Sequence, residues 1–348
     1  MTLPAHADTT FRHRLAAHCE SGVASLLLEH SGVALSEPLA FGIGSGLFFF
    51  YLPFERWMAG PTTTFRTLPG TIFRKACRRL GIGYESRTYR APQRGFEDLR
   101  ALVDRGTPVG LQTSVYWLTY LPRRFRFQFN GHNIVVYGRR GDTWLVSDPV
   151  LDAAVECPEE ALRRARFARG AFAPRGRLYY LTDAPAPGRD RLRRAVLAGA
   201  RETAYRMARV PVPILGSRGI RLLAGNAERW PARFPDPADA LVKLANIVRM
   251  LEEIGTGGAG FRYLEAAFLQ EAGVLFEDDA WGRLSERLTA VGDGWRQFSL
   301  KAARICKSGR ADPGEFRVAA DLLREQAAAE QEFFEDLYRF VEARRCAS

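Results

Sequence analysis

Three residues of this sequence have the types and the order that thiol chemistry needs: Cys19, His132 and Asp148. Cys19 is predicted to begin an amphipathic helix that ends near Ser31-Gly32, and the N–H groups and dipole at a helix start favour a thiolate. His132 begins a β-branched stretch, and Asp148 follows the next strand-like stretch after one tight turn. Neighbouring antiparallel strands can bring an imidazole and a carboxylate together. The three residues therefore predict a nucleophile, its base and an orienting carboxylate.

The elements that must position these residues are of mixed type in the first half of the chain. Helical periodicity and short strand-like stretches alternate up to residue 183, which predicts an α+β domain. The segment 182–190, TDAPAPGRD, has the proline, glycine and charge of a linker. Beyond it, apolar residues recur at three-to-four spacing almost throughout. We therefore predict a catalytic domain over 1–183 and an all-α domain over 184–348.

Composition excludes several classes of protein. The five cysteines among 348 residues form no CxxC pair, so neither a zinc site nor a disulfide framework is indicated, and no metal or cofactor is predicted. The N-terminus lacks the apolar core of a signal peptide, so we expect a cytoplasmic protein. The most apolar stretch, 38–54, is short and broken by glycine and proline, which favours buried protein interior over membrane insertion.

The net charge of +11 is unevenly distributed, because residues 1–183 carry 24 basic and 16 acidic side chains. A basic first half suits an acidic or phosphorylated partner. No nucleic-acid recognition motif accompanies it, so nucleic acid is not predicted as a partner. An acidic carrier protein is compatible with this charge. A solvated arginine face that reflects genome composition is the competing interpretation.

The motifs around the three residues resemble a known family. HCESGVASLLLEHSGVALSEPLAFGIGSGLFFFY, GHNIVVYG and WLVSDP are similar to the papain-like cysteine fold in its C39-like form, and the first to the N-terminal domain of the butirosin biosynthesis protein H family. GTGGAGFRYLEAAFLQEAG resembles the helical domain that accompanies it. The resemblance implies a papain-like catalytic domain in a protein of secondary-metabolite biosynthesis.

The resemblance also implies an activity. The enzyme would be an acyltransferase that moves an acyl group from a carrier-protein phosphopantetheine thioester to a small-molecule acceptor. Cys19 would be the acylated nucleophile, His132 the base and Asp148 its partner. Thr113 and Ser114 stand where the family pattern has an acidic residue, which leaves open whether the acceptor is an amine or a hydroxyl.

Further residues are predicted to contact substrate: His18, Glu37, Tyr116, Trp117, Tyr120 and Arg262. His18 adjoins the nucleophile, and Glu37 either caps a turn or holds the wall of the active site. The three aromatic residues either pack in a core or line the acyl or acceptor pocket. Arg262 follows a glycine-rich loop and lies in the first turn of a predicted helix, where the helix dipole disfavours a positive charge. Pairing with a carboxylate or a phosphate would explain this position. His13 is interpreted as a solvated residue of a loose N-terminus.

Two other functions are compatible with the same residues. The triad would equally serve a cysteine hydrolase, whether a thioesterase, an amidase or a peptidase, in which water replaces the acceptor. A binding protein that keeps the fold without catalysis is the third possibility, and the presence of all three triad residues argues against it. The sequence does not indicate an oligomeric state.

Overall fold

The computed structural model describes residues 6–7, 10–54 and 62–346. Within these ranges the strands are β1 (His6–Ala7), β2 (Leu47–Tyr51), β3 (Thr63–Arg66), β4 (Gly83–Arg87), β5 (Val109–Thr113), β6 (His132–Arg140), β7 (Thr143–Ser147), β8 (Val155–Pro158) and β9 (Leu178–Asp183). Every strand of the described ranges lies in the first 183 residues. The described part of the chain beyond them is helical.

Helices occur in both halves of the chain. Those of the described ranges are α1 (Cys19–His30), α2 (Glu37–Ile43), α3 (Thr71–Leu80), α4 (Pro92–Val103), α5 (Glu159–Arg166), α6 (Arg189–Ala208), α7 (Gly216–Ala227), α8 (Trp230–Arg233), α9 (Pro237–Val248), α10 (Arg262–Phe276), α11 (Asp279–Ser308) and α12 (Pro313–Cys346). The predicted α+β first part and helical second part are confirmed. None of these helices combines the length and the apolar character that crossing a membrane requires.

The chain divides into two compact units that are interleaved in sequence. The first comprises Met1–Ala40 and Pro69–Leu192, and the second comprises Phe41–Leu68 and Arg193–Ser348. The predicted catalytic domain includes 41–68, whereas the structure groups this segment with the C-terminal helices. The assignment of 1–183 as the catalytic domain remains a prediction.

The first unit is built on one antiparallel sheet. The strand order is β4-β9-β5-β6-β7-β8, with β1 paired to β6. Strand β6 lies in the middle of this order, and its first five residues are all buried. A strand that is buried on both faces needs consecutive residues that are apolar or whose polar groups are hydrogen-bonded. The apolar stretch Ile134–Val136 meets this need.

Local sequence signals set the limits of the helix that carries Cys19. The side chain of His18 caps its start by accepting a hydrogen bond from the backbone of Ser21. Gly32, in the left-handed conformation with φ 83°, ends it. Ten consecutive residues of α1, from Cys19 to Leu28, are buried, so the helix is an interior element of this unit.

The second unit combines the hairpin β2–β3 with the C-terminal helices. Aromatic side chains from both parts form its core: Phe49 and Phe65 lie with ring centroids 5.3 Å apart, and Trp295 of α11 packs edge-on against Phe65 at 5.4 Å. The hydroxyl of Tyr51 in β2 accepts a hydrogen bond from Asn226 in α7 at 2.9 Å. The hairpin is therefore an integral part of the second unit's core.

Candidate active site

Cys19 is the first residue of α1, at the helix end where the dipole favours a negative charge. Its side chain is almost completely buried. The sulfur lies 4.0 Å from the carbonyl oxygen of Gly131 and 3.9 Å from Nδ2 of Asn133. Gly131 directly precedes β6 and Asn133 is its second residue, so helix α1 presents the thiol to the start of the central strand.

His132 and Asp148 meet through the pairing of two strands. His132 begins β6, Asp148 follows β7, and the register pairs Val135 with Ser147. Nε2 of the imidazole donates to Oδ2 of Asp148 at 2.8 Å, and the carboxylate is completely buried. The ring also has a hydrogen bond with Cys19. Because Nε2 faces the carboxylate, Nδ1 is the ring nitrogen that remains for this bond.

The charge state of the imidazole follows from its neighbours. Burial opposes a positive charge on His132 and lowers its pKa, but the negative charges and hydrogen bonds of Asp148 and Cys19 outweigh burial and raise the pKa to about 10. The positive ring in turn stabilises a negative sulfur. A thiolate beside an imidazolium is the reactive form of a cysteine nucleophile.

Tyr120 acts on this pair through the carboxylate. Its hydroxyl donates to Oδ2 of Asp148 at 2.9 Å, and the backbone N–H of Val150 donates to Oδ1 at 3.3 Å. Burial and the adjacent charge of Asp148 raise the pKa of the Tyr120 phenol well above its ordinary value, so it stays a donor. Tyr120, which was predicted to line the pocket, lies in the structure where it orients the carboxylate.

Glu37 holds the segment that leads into Cys19. Its two carboxylate oxygens accept hydrogen bonds from the backbone N–H of Ala17 at 2.9 Å and of His18 at 2.7 Å, and one also accepts from the Ser21 hydroxyl at 3.0 Å. Burial raises the pKa of Glu37 although all three hydrogen bonds oppose that rise. These contacts fix the backbone directly before Cys19, and both predicted roles of Glu37, as the cap of a turn and as a support of the active-site wall, stay predictions.

Close packing fixes α1 against the turn that carries the acid. A Cβ atom on Gly22 would lie 2.6 Å from Cβ of Ala16 and 2.8 Å from Cβ of Pro149, closer than carbon atoms can pack. The N–H of Ala16 donates to the Pro149 carbonyl at 2.7 Å. The glycine therefore allows the turn after Asp148 to lie directly on the helix that begins with Cys19.

A buried carboxylate fixes α1 at its start. Glu20 is completely buried, and its Oε1 accepts from the backbone N–H of Ile72 at 2.8 Å and of Phe73 at 3.4 Å, in the first turn of α3. A negative charge at a helix N-terminus is favourable. The residue after Cys19 thus ties α1 to a second helix.

In the structure, three other residues that are predicted to bind substrate contact residues other than Cys19, His132 and Asp148. Tyr116 is largely exposed, while Trp117 packs edge-on against it and under the guanidinium of Arg164. Arg262, in the second unit, is completely buried and paired with Glu330 through two hydrogen bonds of 2.8 and 3.0 Å. Arg262 is predicted to pair with a carboxylate or a phosphate, and in the structure it pairs with a carboxylate of the same chain. The substrate contacts of all three remain predictions.

Two residues near the site escaped the sequence analysis or received another interpretation. Asn133 is buried beside the sulfur. The sequence does not single it out, because an amide side chain carries no charge and this one belongs to no recognised motif. His13 was interpreted as solvated, but its ring nitrogens contact the Ser147 hydroxyl at 2.7 Å and the Leu151 carbonyl at 2.9 Å. His13 therefore helps to hold the two ends of the turn that carries Asp148.

A cysteine at the start of a helix that faces a histidine and its acidic partner on an antiparallel sheet is the papain-like arrangement. Comparison with known families agrees with it. Residues 160–337, more than half of the chain, match the family described as a domain of unknown function (DUF4872). Residues 18–149 match the family described as butirosin biosynthesis protein H, N-terminal. The chain belongs to the first of these families, and its predicted likeness to butirosin biosynthesis protein H is confirmed.

None of the curated proteins matches the chain. A protein from Bacillus anthracis described as a C39-like peptidase is similar in structure, with a TM-score of 0.37 and 16% sequence identity over 53% of this chain and 100% of that one.

Proposed function

We propose that this protein is a cysteine-dependent acyltransferase that receives an acyl group from a carrier-protein phosphopantetheine thioester. The observation that carries the proposal is the buried contact of the Cys19 thiol with His132, whose imidazole is held by Asp148 at 2.8 Å. The match of residues 18–149 to a family named for butirosin biosynthesis supports a role in a biosynthetic pathway.

The reaction has two steps in which His132 moves the proton. In the first, the Cys19 thiolate attacks the thioester carbonyl carbon, the bond from that carbon to the phosphopantetheine sulfur breaks, and His132 protonates the departing sulfur. The acyl group is then held as a thioester on Cys19. In the second step, an amine or hydroxyl of the acceptor attacks this carbonyl, His132 takes its proton, and Cys19 leaves as the thiolate.

The charge distribution of the first unit supports an acidic carrier as the donor. No Asp or Glu occurs in 105–141 or in 161–182, and each of these segments contains six arginines. Arg123 and Arg124 of the first segment and Arg169 and Arg175 of the second are exposed. Carrier proteins are usually acidic, and the phosphopantetheine arm adds a phosphate, so such a surface would attract the donor.

The second of these segments is attached beside the site. The side-chain amide of Asn130 donates to the carbonyls of Arg169 at 3.1 Å and Ala171 at 2.8 Å, and Gln112 donates to the carbonyl of Phe172 at 3.0 Å. Asn130 lies two residues before His132. Exposed Arg169 and Phe172 are thus fixed to the strand end that carries the base, where a carrier would have to deliver its arm.

Intact-protein mass spectrometry tests the proposed acyl-enzyme. The protein is mixed with a panel of acyl-carrier thioesters, and the expected result is a single acyl adduct that is absent from Cys19→Ala and present in the control Cys77→Ala. Persistence of the adduct in water and its discharge by an amine or hydroxyl acceptor distinguish transfer from hydrolysis. An adduct that forms equally in Cys19→Ala would refute the proposal.

Charge reversal tests the carrier. Arg123→Glu combined with Arg124→Glu is expected to lower kcat/KM about tenfold or more for a carrier-bound donor, and raised salt should have a similar effect on the parent protein. An uncharged N-acetylcysteamine thioester should show neither effect. Arg94→Glu, at an exposed position on α4, is the matched control. Equal losses with both donors would indicate a damaged pocket instead of a docking surface.

A further inference from the structure

We propose that Asn133 is a further catalytic residue, whose side-chain amide donates a hydrogen bond to the Cys19 sulfur and stabilises its thiolate form. This inference rests on the proposed role of Cys19 as the nucleophile. Nδ2 of Asn133 lies 3.9 Å from the sulfur, which is the long end of the range for hydrogen bonds to this large atom. Asn133 is 1% exposed, so water does not compete for the contact.

The surroundings of Asn133 determine which way its amide faces. Nδ2 lies 3.1 Å from the carbonyl oxygen of Gly131, and Oδ1 lies 2.9 Å from the hydroxyl of Tyr179. A carbonyl oxygen can only accept, so the amide nitrogen must be the atom that faces Gly131. The hydroxyl then donates to Oδ1. With one hydrogen bonded to Gly131, the second hydrogen of the amide is available to the sulfur.

Tyr179 is itself held in place by its neighbours. A Cβ atom on Gly110 would lie 2.3 Å from the Tyr179 ring, so only glycine at that position lets the ring lie across β5. The ring of Phe73 packs on it with centroids 4.6 Å apart. Gly110, Phe73 and Tyr179 together thus support the orientation of Asn133 from three separate elements.

The amide and the imidazole act on the sulfur in different ways. His132 supplies a positive charge that also titrates, whereas an amide donor keeps its hydrogen at every pH between 3 and 12. Hydrogen bonds to charged acceptors are stronger than those to neutral ones, so the donor favours the thiolate over the thiol. Removal of the donor should therefore shift the pH at which Cys19 becomes reactive. If Asn133 had only a structural role, its replacement would leave this pH unchanged.

Alkylation with iodoacetamide at a series of pH values is the test, with the modified residue identified by mass spectrometry. In Asn133→Leu, which keeps the approximate volume without a donor, the midpoint of the pH–rate profile at Cys19 is expected to rise by about one unit. Tyr179→Phe, which removes the group that orients the amide, should raise it by about half as much. Tyr180→Phe, at the next residue of the same strand, is the control and should leave it unchanged.

The outcomes separate this inference from the proposed function. An unchanged midpoint in folded Asn133→Leu would overturn the role of the amide while Cys19 remained the reactive thiol. If Asn133→Leu does not fold, an unchanged midpoint in Tyr179→Phe overturns it instead. Cys19 in the parent protein that alkylates no faster than Cys77 would refute the nucleophile itself, because the assay needs neither donor nor acceptor.

Discussion

Asp148→Asn should separate the charge of the acid from its hydrogen bonds. Oδ2 of Asp148 accepts from both His132 at 2.8 Å and Tyr120 at 2.9 Å, whereas Oδ1 accepts one longer bond of 3.3 Å from the N–H of Val150. An asparagine can place its oxygen at the Oδ2 position and keep the two shorter bonds. The variant thus retains the orientation of the imidazole and loses mainly the negative charge.

The loss of charge sets the magnitude. With the carboxylate gone, burial becomes the dominant influence, and the pKa of His132 should fall from about 10 to below its ordinary value of 6.5. One pKa unit corresponds to about 1.4 kcal/mol, so the imidazolium loses at least about 5 kcal/mol of stabilisation. Because the raised pKa belongs to a group that is positive when protonated, its contribution to stability is present in full below about pH 6.5 and disappears as the pH approaches 10.

Two measurements check the reasoning. In urea unfolding, the stability difference between the parent protein and Asp148→Asn should be largest at pH 6 and should shrink steadily towards pH 10. Acyl transfer at pH 7.5 should fall about a hundredfold or more, because the ring no longer stays protonated beside the thiolate. Asp152→Asn, at an exposed position in the same loop, is the matched control. A stability difference that does not change with pH would show that Asp148 acts only through hydrogen bonds.

Other perturbations test the supporting contacts. Glu37→Ala should lower the free energy of unfolding by about 1–3 kcal/mol and slow alkylation of the nucleophile, since the backbone before it loses its acceptor; unaltered kinetics would contradict this. Iodoacetamide at pH 8 should modify Cys19 before Cys77, because burial raises the pKa of the Cys77 thiol to about 12 and leaves roughly one thiolate in ten thousand; peptide mapping gives the order. Glu330→Leu should cost about 3–5 kcal/mol in urea unfolding, because Arg262 keeps a buried charge without its partner; an unchanged midpoint would refute the pairing.

The sequence was informative where function has a local signature. A cysteine at a helix start and a histidine at the head of an apolar strand are each visible within about ten residues. The tight turn at 140–143 makes two strands neighbours, so the pairing of His132 with Asp148 also followed from short-range information. The fold class could be predicted for the same reason, since periodicity differs between the two parts of the chain.

The roles of other residues depend on partners that are distant in sequence. Tyr120 was recognised as an aromatic residue near the site, but its hydroxyl reaches a carboxylate 28 positions away. Arg262 pairs with a residue 68 positions away. A single sequence has no signal that selects one carboxylate among 39 acidic residues, so a polar side chain with an internal partner cannot be distinguished from one that awaits a ligand.

The interleaving of the two units also has a consequence for synthesis of the chain. The hairpin β2–β3, which ends at Arg66, leaves the ribosome well before Arg193 and the helices that complete its core. At about 5–20 residues per second, the delay is on the order of ten seconds. During that time Phe49 and Phe65, which are buried in the finished protein, have no C-terminal partners. The nascent chain therefore carries apolar side chains of the hairpin without their C-terminal partners while the sheet of the first unit is assembled.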